Sequence, residues 1–365
     1  MPPPEADDRN NPLLLKLRER IRRDGPLSVD GFMQACIGDA EHGYWRRRDT
    51  IGAAGDFVTA PEISQIFGEL IGLWCVVTWQ QLGSPKPLRL IELGPGRGSL
   101  MRDALRAASK VPAFLEAVTV HLVEISSALR EVQREMLATL PDRPAITWHE
   151  AVGDVPDGAA IIIANEFLDA LPIRQLVHVD GAWHERVVAL DAQGALRFAH
   201  GENVAAPAGA PAQPEPGAII ELREGEERLL AELAARTQAF VALFIDYGPA
   251  AVTVGDTLQA VRRHGYVDPL AEPGAADLTA HVLFAGLADK ARAAGLAADG
   301  AMTQAEFLGQ LGIVERATRL MAANPAKASQ IEAGVQRLMA PTGMGQLFKV
   351  LAVRSRTLPA PVPFG

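Results

Sequence analysis

The chain has 365 residues, with 35 Lys and Arg against 44 Asp and Glu, and a net charge of −9. No basic stretch is long enough to neutralise a phosphate backbone, which argues against nucleic acid as partner or substrate. No apolar run is long enough for membrane insertion, and a hydrophobic content of 48% suffices for one enlarged domain or two.

Residues 1–12 start proline-rich and acidic. They lack the apolar stretch of a secretory signal and the Arg-rich, acid-poor make-up of a transit peptide, so a disordered end is expected. Leu13, Leu14, Leu17 and Ile21 then make a helical stripe, and Ser28 opens a second helix over 29–38. After the polar stretch 39–45 comes the glycine-rich segment 52–62. Pro61 fits the first turn of a helix, with Thr59 as its cap and Glu62 in the favoured first turn. That helix is expected to continue through Ile66, Phe67, Leu70, Ile71 and Trp74. Block 13–82 therefore reads as a helical extension, and its part 52–74, with Gly52, Gly55 and Phe57, as a lid. The Arg46-Arg47-Arg48 run reads as a solvated loop. Cys36 and Cys75 sit in apolar settings and read as free thiols in a reducing compartment.

Strand-like runs fall at 88–93, 118–124, 145–149, 159–165, 241–246, 297–302 and 346–354. The first five alternate with helices, apart from an insertion, which predicts a parallel α/β sheet; the last two could pair antiparallel. Segments 83–174 and 240–355 make this core. Insertions at 175–239 and 249–280 are expected to form a substrate or partner surface. The first holds a hairpin, Gln175–Val179 and Trp183–Leu190 around Asp180-Gly181, whose apolar face could support a homodimer. An Ala, Pro and Gly-rich link over 203–217 and a helix over 221–239 follow.

The most informative stretch is Leu90-Ile91-Glu92-Leu93-Gly94-Pro95-Gly96-Arg97-Gly98-Ser99. It reads as a strand, a tight glycine turn and a helix start, where unpaired N–H groups meet an anionic ligand group. The third glycine comes too early for the dinucleotide pattern, and Glu92 would repel a pyrophosphate. S-adenosylmethionine has no phosphate; its amine, sulfonium, carboxylate and ribose diol suit an acid beside a glycine turn. A second strand ends in Glu124, placed to accept from both ribose hydroxyls. Ser126 or Ser127 then caps a helix.

In open α/β sheets the ligand lies outside the carboxyl ends of the strands. The fourth strand ends Asn165-Glu166-Phe167-Leu168-Asp169 and the fifth ends Asp246-Tyr247-Gly248. These acids suit a cationic acceptor: carboxylates can grip a guanidinium in bidentate geometry and accept its proton. Glu166 and Asp246 are the expected catalytic pair, with Asp169 or Glu62 assisting. His281 could bond substrate or act as a base.

Six segments together resemble one family closely. They are Glu41-His42-Gly43-Tyr44, Gly55 to Glu62, Glu92 to Gly98, Asn165 to Pro172, Asp246-Tyr247-Gly248 and Asp277-Leu278-Thr279-Ala280-His281-Val282. The resemblance, over about residues 14–355, is to the MidA-like S-adenosylmethionine-dependent methyltransferases, whose mitochondrial members are complex I assembly factors and protein arginine methyltransferases. It implies an extended class I methyltransferase fold, a Rossmann-like, seven-stranded, mostly parallel sheet with an N-terminal helical extension. It implies cofactor contacts at Glu92, Gly94, Gly96, Gly98, Glu124 and Asn165, and a protein arginine as acceptor; Glu62, Thr59 and His281 are the expected substrate contacts. An NADH dehydrogenase (complex I) subunit is the candidate acceptor that the resemblance suggests. Leu283 stands where the family usually has an acid after the His-Val pair. The excess of Arg over Lys suits a bacterial cytoplasmic protein. Two other readings stay open: a methyltransferase acting on a small molecule, and an assembly chaperone that keeps the cofactor only for structure.

Overall fold

The computed structural model describes residues 11–46, 58–141, 143–207, 209–251 and 254–365. Residues 1–10 of the expected disordered end, Arg47 and Arg48, and residues 52–57 of the expected lid lie outside the described residues. Asn11 already belongs to the folded chain. Its Oδ1 accepts the Leu14 N–H at 2.9 Å, and its Nδ2 donates to the Pro273 carbonyl at 3.0 Å. It caps α1 (Pro12–Asp24), which Gly25 ends at φ 92°. Leu13, Leu17 and Ile21 of α1 share a core with Phe32 and Met33 of α2 (Val29–Gly38).

The expected helix after Pro61 is two helices, α3 (Ala60–Ile63) and α4 (Gln65–Gln81). Ser64 breaks them with extended backbone, φ −154° and ψ 128°, and its hydroxyl caps α4 by accepting the Ile66 N–H at 3.3 Å. A serine hydroxyl competes with the helix for its neighbours' N–H groups, which apolar periodicity does not register.

The core runs β1 (Leu88–Leu93), α5 (Ser99–Ala108), α6 (Pro112–Ala117), β2 (Val118–Val123), α7 (Ser127–Ala138), β3 (Ile146–His149), β4 (Ala160–Asn165), α8 (Glu224–Ala234), β5 (Phe240–Tyr247), α9 (Phe284–Ala293), β6 (Ala297–Thr303) and β7 (Phe348–Arg354). The sheet order is β6-β7-β5-β4-β1-β2-β3. The five strands from β5 to β3 are mutually parallel; β7 is antiparallel to both β5 and β6. This is the expected seven-stranded sheet, antiparallel pair included. Alternate residues feed two cores. Leu88, Leu90, Ile161 and Ile163 meet α4 and α5 on one face, and Ile91, Leu93, Ile162 and Ala164 meet α8 and α9 on the other. Burial on both faces is why β4 reads as an unbroken apolar run.

The insertions hold more strand than expected. The hairpin gains a third strand, Leu196–Val204, and is joined by Leu27–Ser28 and Ile219–Leu222 in a five-stranded antiparallel sheet. Leu196–Val204 is half solvated along its length, so its pattern reads as loop. The hairpin's Val188 sits in one core with the residues of α1 and α2. Residues 259–279 form a small three-stranded sheet of Gln259–Arg262, Gly265–Val267 and Asp277–Thr279.

α4 and α5 meet through glycine. An added Cβ at Gly72 would stand 2.3 Å from the Ala104 carbonyl oxygen, a backbone atom that cannot swing away. Gly72→Val is expected to lower unfolding free energy in urea by about 3 kcal/mol or more through overpacking. Gly286→Ala in α9, where the nearest atom is 3.9 Å from the new Cβ, should be neutral or stabilising by about 0.5–1 kcal/mol. Equal effects of the two would contradict the close approach of the helices.

Candidate active site

β1 lies between β2 and β4, where the strand order reverses, so the crevice at their carboxyl ends is the switch point of the sheet. Gly94, Gly96 and Gly98 follow β1 with φ of 62°, 53° and 84°. At Gly94 space adds to the conformational demand, since a Cβ there would stand 2.8 Å from the Phe167 ring. Gly98 caps α5 without any side-chain bond, so the helix N-terminus offers backbone N–H groups to a ligand. A cavity of about 560 Å³ opens here. The glycine turn, Glu92, Glu124, Asn165 and Glu166 line it from the core, and Trp45, Thr59 and Glu62 from the N-terminal extension.

Two of these acids, Glu92 and Glu124, are nearly dry, and Glu166 is half-buried. Glu92 is 3% exposed and its Oε2 has no hydrogen-bond partner; burial pushes its carboxyl up to about 8. Burial raises Glu124 to about 7, although the Ser126 N–H donates to its Oε1 at 2.7 Å and Gln133 Nε2 to its Oε2 at 3.3 Å. Glu166, at φ 51°, is likewise raised to about 7 by burial, with Asp169 adding to the rise. Its Oε1 accepts the Ala60 N–H and Asn165 Nδ2, both at 3.0 Å, and the Asn165 Oδ1 is left without a partner. The Ser99 hydroxyl donates to Glu62 Oε1, so α3 reaches the core at two points of the site. Thr59 lines the cavity, and its carbonyl accepts the Glu62 N–H at 2.9 Å.

Asp246, Asp169 and His281 lie outside the cavity lining. Asp246 is fully buried, and its Oδ2 accepts the N–H groups of Phe167, Leu168 and Asp169 at 3.2, 2.9 and 3.2 Å. Its Oδ1 accepts the Tyr247 N–H at 2.9 Å. The Oδ2 bonds tie Asp246 to the 166–169 corner, and with it to Glu166. Burial and the neighbouring Asp169 push the Asp246 carboxyl up, and the N–H donors offset part of that rise. Asp169 is raised to about 6 by burial. His281 precedes α9. Its N–H donates to Thr257 Oγ1 at 3.0 Å, its carbonyl accepts from Arg223, and its ring meets Tyr247 edge-on at 5.4 Å.

Sequence reasoning missed several lining residues. Phe167 fills the space a Gly94 side chain would take. Glu150, Ala151 and Val152 enter from just beyond β3; their place after a strand end was the available signal. Trp45 comes from a short 3-10 turn, Tyr44–Arg46, inside a stretch read only as polar. Among the described residues no group of His, Cys, Asp and Glu could hold a metal ion.

Residues 70–302 match a family described as S-adenosyl-L-methionine-dependent methyltransferases. The chain belongs to that family. The mitochondrial protein arginine methyltransferase NDUFAF7 homolog of Drosophila melanogaster is 35% identical, over 96% of this chain and 86% of its own. The mitochondrial protein arginine methyltransferase NDUFAF7 of Homo sapiens is 34% identical, over 95% and 84%. A candidate methyl transferase from Burkholderia thailandensis, crystallised with S-adenosyl-homocysteine, has a TM-score of 0.85 at 28% identity, over 95% of this chain and 92% of that one.

The residues of this methyltransferase fit S-adenosylmethionine, the cofactor of the family. The unpartnered Glu92 Oε2 and Asn165 Oδ1 could accept from its amine, and the Gly98 end of α5 could take its carboxylate. A carboxyl raised in the folded state binds its proton more tightly folded than unfolded. Glu92 therefore contributes stability at low pH that is lost as pH climbs from its ordinary value of 4.5 toward about 8. The ligand-free methyltransferase is expected to lose unfolding free energy between about pH 6 and pH 8, and Glu92→Gln to remove about 2 kcal/mol of that loss. Urea titrations at the two pH values check this; an unchanged slope in Glu92→Gln would contradict a neutral buried Glu92.

Proposed function

We propose that this methyltransferase acts on an arginine of a protein substrate. The carrying observation is Glu166, a cavity-lining carboxyl raised to about 7, with both its hydrogen bonds on Oε1. S-adenosylmethionine, when bound, supplies an activated methyl group. The chain's own task is then to hold the acceptor and take its proton. Oε2 of Glu166 is left for a guanidinium N–H, and a carboxyl that titrates near neutrality suits a group that accepts a proton at physiological pH. Glu62 adds a second acid on the same cavity, and Asp246 and Asp169 support the corner that carries Glu166.

The names of the relatives support the arginine reading, and a neutral small-molecule acceptor would leave these acids without a cation. Subunits of NADH dehydrogenase are the acceptors we put first, on the family resemblance. The buried free thiols Cys36 and Cys75 suit a reducing compartment such as a bacterial cytoplasm. The test is incubation with methyl-labelled cofactor and candidate subunits, followed by mass spectrometry of the modified residue. Label on arginine is expected, and Glu166→Gln should cut turnover about 10²–10⁴-fold while cofactor affinity changes little. Label on lysine alone, or full turnover by Glu166→Gln, would contradict the proposal. Assembly of the target complex with Glu166→Gln in place of the native chain would favour a chaperone.

A further inference from the structure

Gln133 has no part in the account so far beyond one bond to Glu124. It lies on α7 between Leu129 and Leu137, four residues from each, and all three are buried; Gln133 itself is 0% exposed. A buried amide must satisfy both ends. Its Oε1 accepts the Trp148 indole N–H at 2.8 Å. An indole nitrogen only donates, so this bond fixes which way the amide faces. Nε2 therefore points to acceptors, the Gly96 carbonyl at 2.8 Å and Glu124 Oε2 at 3.3 Å. The flipped amide would set donor against donor at Trp148 and acceptor against two acceptors opposite. Gln133 also packs under the turn: a Cβ on Gly98 would stand 3.5 Å from its side chain. One amide thus joins the glycine turn after β1, the acid after β2 and the indole of β3.

We propose that Gln133 is a positioning residue for cofactor binding, holding Glu124 in the orientation and charge state that receive the ribose diol. This rests on the reading of Glu124 as the ribose acceptor. An ionised carboxylate accepts from both hydroxyls, whereas a protonated one has a hydroxyl of its own to place. The Gln133 N–H favours the ionised form, opposing the burial that raises this carboxyl. The other charged groups around Glu124 are Arg130 on the same helix, whose Nε donates to the Glu124 carbonyl at 2.7 Å, Glu92 and Arg97 on the β1 side, and His149 and Glu150 at the end of β3. All are retained in the variants below.

The test is calorimetric affinity for S-adenosylhomocysteine from about pH 6 to pH 9 in the full chain, Gln133→Met, Trp148→Phe and Glu124→Gln. The native chain should bind more tightly as pH rises through about 7. Gln133→Met keeps the volume and removes the donor, so binding should weaken about ten-fold near pH 7 and recover most of that toward pH 9, with the midpoint moved up by on the order of one pH unit. Trp148→Phe leaves Gln133 in place but frees its amide to turn, so a smaller shift in the same direction is expected; it carries the test if Gln133→Met does not fold. Weakening by the same factor at every pH in both variants would overturn the proposal and leave Gln133 a packing residue. Native affinity in Glu124→Gln would instead overturn the ribose reading on which the proposal rests.

Discussion

The site depends on one electrostatic constraint: two carboxyls, Glu92 and Glu124, are placed nearly dry and a third, Glu166, half-buried at the carboxyl ends of β1, β2 and β4, and burial raises all three. Removing a carboxylate from water costs several kcal/mol unless something compensates, and here the local donors compensate only in part. Glu124 accepts from Gln133 and from the Ser126 and Ile125 N–H groups, and Glu166 from Ala60 and Asn165, while Glu92 keeps an oxygen with no partner. The shortfall is what a cationic, hydroxyl-bearing ligand would make good. Sheet topology fixes where the shortfall falls. The reversal of strand order beside β1 opens the crevice, and the left-handed glycines let a ligand approach the backbone.

The N-terminal extension is part of this arrangement. α3 donates the Ala60 N–H to Glu166 and receives the Ser99 hydroxyl on Glu62, so it bridges the ends of β4 and β1. Below, Asp246 collects three N–H groups from the corner that turns Glu166 into the cavity. Glu166 sits at φ 51°, an angle costly for a glutamate, and these bonds are what hold it there. Strain kept at a site by over-determined surroundings is consistent with a reacting group whose position matters more than its comfort.

Much of this was legible in the residues, for physical reasons that differ by element. β1, β2, β4 and β5 announce themselves because burial on both faces demands continuous apolar runs. The glycine turn was legible because left-handed angles and the close Phe167 ring leave little choice of residue. Leu196–Val204 and the three short strands of 259–279 were not, since one solvated face and few residues give no periodic signal. Gln133 gave no signal, because a sequence does not show that Trp148 and Gly96 face it. Asp246 was legible as a polar strand end, but not its N–H partners. An acid at a strand end looks reactive until the next loop is seen folding its N–H groups back onto it.

The central claim is that Glu92 is held largely neutral until a cationic ligand arrives. Titration calorimetry with S-adenosylmethionine at about pH 7, repeated in buffers of different ionisation enthalpy, counts the protons exchanged on binding. A ligand amine beside Glu92 lowers that group's proton affinity, so this account requires net proton release into the buffer, smaller in Glu92→Gln. Tight binding with no proton release, or with uptake, would mean that Glu92 is already ionised, and the electrostatic basis of the site would have to be abandoned.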